Sequence, residues 1–131
     1  MKVVFDTNVF VSALTFRGGR GDQALRRILE GRDSLVLSKP ILDELLRILA
    51  TKFSREREEL ARVAVYLAEL AQMVDPPDRF DVLSDEPDNR ILECAIAGGV
   101  DVIVTGDRSV LNLGDFRGVK IVSLIEYLES P

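Results

Sequence analysis

Apolar residues in this chain follow two spacings. Four short, nearly continuous runs at 2–5, 34–38, 100–105 and 119–123 are rich in Val and Ile and are read as buried strands. Elsewhere apolar residues recur every three or four positions, as on a helix with one buried face. That spacing predicts helices over 8–14, 23–31, 39–50, 55–73 and 124–129, and one leading out of "SDEPDNRILECAIAGG". Local signals fix the ends. Asp22 is the expected N-cap of the second helix and Gly31 its stop, while Ser38 and Ser123 are expected caps. Pro40 falls in a tolerated first turn, "DPPD" (75–78) ends the long helix, and Gly98-Gly99 is an exit.

Strands alternating with helices predict a parallel sheet covered on both faces. In such sheets the functional crevice lies beyond the carboxyl ends of the strands. Asp6 follows the first strand directly, and Asp107 follows the third across Thr105-Gly106. Glu44 borders the apolar arc of its helix, whereas Asp43 and Arg47 point away from that arc. Asp88 opens the helix before the third strand. All four acids are therefore expected at one end of the sheet. Together they would repel and protonate unless a cation compensates. All-oxygen ligation suits Mg²⁺ or Mn²⁺, which can activate water for attack at phosphorus. Each acid alone has a plainer reading: Asp6 as a helix cap, Asp85 and Asp88 as a D-x-x-D capping arrangement, Glu44 as a boundary residue, Asp107 as a turn residue.

Composition narrows the chemistry further. The 131 residues, 47% hydrophobic and 30% charged, suit one domain spanning 1–131. There is no histidine, which excludes Ser-His-Asp and Cys-His nucleophile systems and, with one cysteine, the usual zinc sites. Cys94 forms no internal disulfide, which fits a reducing cytoplasm, and nothing resembles a signal peptide or a membrane span. The net charge of −5 argues against a nucleic-acid ligand only superficially: setting four of the 22 acids apart leaves 18 against 17 basic groups. "FRGGRG" (16–21) reads either as a surface loop or as a flap whose Arg17 and Arg20 hold RNA phosphates. Arg90 and Arg108, beside motif acids, read equally as ion-pair partners or substrate contacts.

Taken together, "VVFDTNVFVSAL", "LSKPILDELLRIL" and "SDEPDNRILECAIAGGVDVIVTGDRSVLNL" resemble the successive motifs of PIN-domain proteins. The branch most resembled is the VapC-like toxins of prokaryotic toxin–antitoxin systems. The resemblance implies a Rossmann-like three-layer α/β/α sandwich with a central, mainly parallel sheet. It implies an Mg²⁺- or Mn²⁺-dependent ribonuclease with Asp6, Glu44, Asp88 and Asp107 as metal-binding acids. Asn8 and Thr105 would be supporting polar groups and Asp85 an outer acid. RNA would be the substrate, an antitoxin the partner, and a homodimer the assembly. Two alternatives stay open: a non-catalytic PIN-like binding module and a housekeeping RNA-processing nuclease. A haloacid-dehalogenase-type phosphohydrolase is disfavoured. It needs an acid at Asn8 and another soon after "GD", where Val110 and Leu111 stand.

Overall fold

The computed structural model describes residues 1–131, and its elements alternate as the apolar spacing predicts. In chain order they are β1 (Lys2–Phe5), α1 (Thr7–Thr15), α2 (Arg20–Leu29), β2 (Ser34–Ser38), α3 (Lys39–Lys52), α4 (Arg57–Leu70) and β3 (Gln72–Val74). There follow α5 (Glu86–Gly98), β4 (Val102–Thr105), α6 (Arg108–Leu111), β5 (Asp115–Phe116), β6 (Val119–Ser123) and α7 (Leu124–Glu129). The strands form one sheet in the order β3-β2-β1-β4-β6-β5. All pairings are parallel except that of the short edge strand β5 with β6. With helices packed on the sheet, the result is a three-layer α/β sandwich.

β1 and β4 are adjacent although they are far apart in sequence, with Phe5 opposite Val104. The chain builds outward on one side of β1 and then returns to build the other side. The strand order reverses there, and the carboxyl ends of β1 and β4 flank the crevice that this creates. Val3, Val4, Ile103 and Val104 are wholly buried, as strands covered on both faces require. α5 lies very close to β2. A Cβ built on Gly98 would meet Val36 Cγ1 at 2.5 Å, so glycine is what permits this approach. No helix is long and apolar enough to cross a membrane.

Several expected boundaries move. The long helix stops at Leu70 instead of reaching Met73; Ala71 is extended, and residues 72–74 pair in parallel with 36–38. Strand pairing there overrides a helical spacing that continues through the segment. α2 starts at Arg20 behind an N-cap at Gly19, so Asp22 lies in the first turn and accepts the Gly18 amide at 2.8 Å instead of capping. Ser38 occupies the N-cap position of α3 but makes no capping bond, and its hydroxyl is buried without a hydrogen-bond partner. Ser123 does cap α7, in a reciprocal box with Glu126. β3, α6 and β5 have too few residues to display a period.

Candidate functional site

A cavity of about 290 Å³ opens at the carboxyl ends of β1 and β4, walled by Asp6, Thr7, Asn8, Glu44, Arg47, Ile48, Asp85, Pro87, Asp88, Ile91 and Asp107. All four acids expected to converge border it, and Asp85 joins them.

Asp6 extends the β1 ladder by one bond, its amide donating to Val104 O at 2.9 Å, and then turns the chain into α1. Asp6 is 5% exposed. Oδ2 accepts the Thr105 hydroxyl at 2.5 Å and Oδ1 the Asn8 amide at 3.4 Å. Burial pushes the Asp6 carboxyl above its ordinary range, the charge of Asp107 adds to this, and the bonds from Thr105 and Asn8 pull it back. Asp6 is thus a helix cap as well as a pocket acid. Thr105, fully buried at the end of β4, also accepts the Asp107 amide at 3.0 Å. Asn8 contributes its backbone amide; its side chain is exposed at the pocket wall.

Asp107 caps α6, with Oδ1 accepting the Ser109 amide at 2.9 Å and the Ser109 hydroxyl at 2.7 Å. Asp88 is different. It is 6% exposed, and its Oδ2 is buried without any hydrogen-bond partner. Burial first, then the charges of Asp107, Asp6 and Asp85, push its carboxyl up from 3.8 to about 7. The expected D-x-x-D capping is not formed. Asp85 sits at the N-cap position of α5, but only its backbone carbonyl is engaged there, accepting the Asp88 amide at 3.1 Å. One carboxylate oxygen from each of Asp85, Asp88 and Asp107 lies within 4.8 Å of the other two, so the three can share one ion.

Glu44 is held elsewhere. Arg47 grips it through two bonds, Nη2 to Oε1 at 2.7 Å and Nε to Oε2 at 3.1 Å. The wheel that turned Arg47 away from the apolar arc gave no sign that it would line the pocket. The three tightly grouped oxygens therefore belong to Asp85, Asp88 and Asp107, with Asp6 tied to Thr105 and Glu44 to Arg47 on the walls.

The remaining arginines lie off this pocket. Arg17 borders a separate cavity of about 490 Å³ with Asp22 and Arg26, and Arg20 is exposed at the start of α2. Arg108 is exposed on α6. Arg90 is 8% exposed and pairs not with the motif acids beside it but with Glu86, Nη1 to Oε1 at 2.7 Å, and Glu93, Nη2 to Oε2 at 2.8 Å.

The donor set is all oxygen, three carboxylates are close, and one buried oxygen lacks a partner. These residues fit a hard divalent cation.

Comparison with known proteins agrees with this architecture. The PIN-domain family model matches residues 2–109. An uncharacterized protein of Methanocaldococcus jannaschii, MJ1680, is 29% identical over 119 residues, covering 88% of this chain and 76% of that one. Among solved structures, VapBC2 of Rickettsia felis, bound to a DNA fragment from its promoter, superposes with a TM-score of 0.65. It is 16% identical, over 94% of this chain and 98% of that one. VapBC-1 of nontypeable Haemophilus influenzae gives 0.62 at 16% identity, over 95% and 99%. PAE2754 of Pyrobaculum aerophilum gives 0.54 at 15% identity, over 97% and 92%. These three share the fold. With the family model spanning β1 to the start of α6, the chain belongs to the PIN-domain family.

Proposed function

We propose that this PIN domain is an Mg²⁺- or Mn²⁺-dependent endoribonuclease and the toxin of a toxin–antitoxin pair. The observation that carries the reading is the unpartnered, buried Asp88 oxygen among four other carboxylates. Asp85, Asp88 and Asp107 would hold the ion, with Asp6 and Glu44 beside it. When bound, the cation would lower the pKa of water and offset charge building at phosphorus.

The residues of the chain supply the rest. Asp6, fixed by Thr105, is a preset acceptor that orients a polar group in the cleft. Asp88 holds a proton until near neutrality and releases it when positive charge enters. Ile48, Pro87 and Ile91 form the apolar part of the wall. Arg47 puts a guanidinium at the rim, suited to a phosphate of single-stranded RNA. Without histidine, proton transfers fall to carboxylates and water.

An antitoxin partner is supported by the VapBC neighbours, and five acids in one pocket are complementary to an incoming basic side chain. A cytoplasmic homodimer is the proposed form, with exposed Val65 and Tyr66 of α4 as apolar surface for it to cover. One observation favours a non-catalytic module instead: Glu44 is already neutralised by Arg47.

Incubation with single-stranded RNA separates the readings. Cleavage should stop with a chelator, return with Mn²⁺ or Mg²⁺, and be lost in Asp88→Asn. Chelator-resistant cleavage would end the mechanism. Tight Mn²⁺ binding without cleavage of any RNA would favour the binding module.

A further inference from the structure

Residues 75–84 cross from β3 to α5 without regular secondary structure, yet part of the crossing is firmly held. Asn89, on α5, is fully buried. Its Oδ1 accepts the Val82 amide at 2.9 Å and the Leu83 amide at 2.8 Å, and its Nδ2 donates to Leu83 O at 2.8 Å. A side chain with both an acceptor of two bonds and a donor is needed to satisfy these three groups together. One turn further along, Glu93 accepts the Phe80 amide at 2.8 Å and Arg90 donates to Phe80 O at 3.2 Å. The outer side is closed by an edge contact between Phe80 and Phe116 at 5.6 Å, with the Arg117 guanidinium 4.5 Å from the Phe80 ring.

Asp85 lies two residues beyond Leu83. Its side chain makes no capping bond, yet its carboxylate stands in the tight group with Asp88 and Asp107. Asp88 is carried by α5 itself and Asp107 by the turn after β4. Asp85 stands at the junction, held on one side by its carbonyl's bond from the Asp88 amide and on the other by the irregular segment before it.

We propose that Asn89 is a positioning residue that fixes Asp85 in the acidic cluster by tying Val82 and Leu83 to α5. The inference rests on the reading of the pocket as a divalent-cation site. A purely structural Asn89 would change stability and leave ion affinity unchanged; a positioning one acts on affinity through Asp85. A double-mutant cycle read by calorimetric Mn²⁺ titration of the full chain distinguishes them. Asn89→Ala should weaken Mn²⁺ binding about tenfold, as loss of a group that orients a ligand does. In an Asp85→Ala background the same change should have little further effect. Phe80→Ala loosens the same segment without stripping a partner from any buried amide. It should show the same dependence on Asp85 and replaces Asn89→Ala if that variant does not fold. No Mn²⁺ binding by the wild type would overturn the cation reading and this inference with it. Wild-type binding that these variants leave unchanged, or weaken equally with and without Asp85, would overturn the role of Asn89 alone.

Discussion

The Thr105 hydroxyl donates to Asp6 across 2.5 Å and accepts the Asp107 amide at 3.0 Å, so one buried group couples the ends of β1 and β4. Thr105→Val keeps the shape and removes both bonds. The Asp107 amide is left without this partner and Asp6 loses the bond that restrains its pKa. Stability should fall by about 1–3 kcal/mol, measured by urea unfolding. Because the Thr105 bond lowers the Asp6 pKa, its loss should raise it further, seen as an upward shift of the Asp6 carboxyl resonance titration. An unshifted titration would mean that the hydroxyl does not restrain Asp6.

Asp88 should make the stability of the metal-free protein depend on pH. Its folded pKa of about 7 lies above the ordinary 3.8 that the unfolded chain is taken to have. Between those values the folded state keeps a proton that the unfolded chain has released. The stability contribution is therefore full at the acid end and is lost as pH rises through about 7. Asp6, also raised, acts in the same direction. Asp88→Asn removes the charge and keeps the size. In chelator at pH 8 its melting temperature should exceed the wild type by on the order of 5 °C, and the difference should shrink towards pH 4. Equal melting curves at pH 8 would show that the ionised carboxylate bears no penalty there.

The central strands were legible because residues buried on both faces leave unbroken apolar runs, as in Val3-Val4-Phe5 and Val102-Ile103-Val104. The convergence of Asp6, Glu44, Asp88 and Asp107 on one pocket was legible too, since a parallel sheet brings such positions to one end. How the acids divide within it was not. Asp85 joins Asp88 and Asp107 from the end of a segment tied to α5 through Asn89, and such contacts between side chain and loop leave no periodic trace. Nor does a wheel reveal that Arg47 closes on Glu44, since two long side chains three positions apart can pair or diverge. β3 was hidden by a helical spacing continuing past Leu70.

Gly98→Ala tests the close seating of α5 on β2. The new Cβ would stand 2.5 Å from Val36 Cγ1, on a strand with no room to retreat. Helix propensity favours alanine by about 1 kcal/mol, but overpacking opposes it by about 1–3 kcal/mol. The variant should be less stable than the wild type. Val36→Ala in the same chain should recover part of the loss by making space. Stabilisation by Gly98→Ala alone would show that the two elements move apart easily, and that Asp88 is less firmly placed than its burial implies.

The Glu44–Arg47 pair bears on whether the pocket works as a nuclease site. While both Glu44 oxygens are gripped, they are poorly placed to contact a cation shared by the other acids. Arg47 is exposed, so Arg47→Ala should barely alter melting, as is usual for a surface ion pair. It should release Glu44 towards the cavity, add free negative charge, and tighten Mn²⁺ binding by roughly threefold to tenfold, the range of a moderate electrostatic coupling. Glu44→Gln should remove that gain when combined with Arg47→Ala, because no carboxylate is then freed. If Arg47 also serves the RNA phosphate, the single variant should bind Mn²⁺ more tightly yet cleave with a raised KM. Unchanged Mn²⁺ affinity in Arg47→Ala would place Glu44 outside the ion's reach and leave the site to Asp6, Asp85, Asp88 and Asp107.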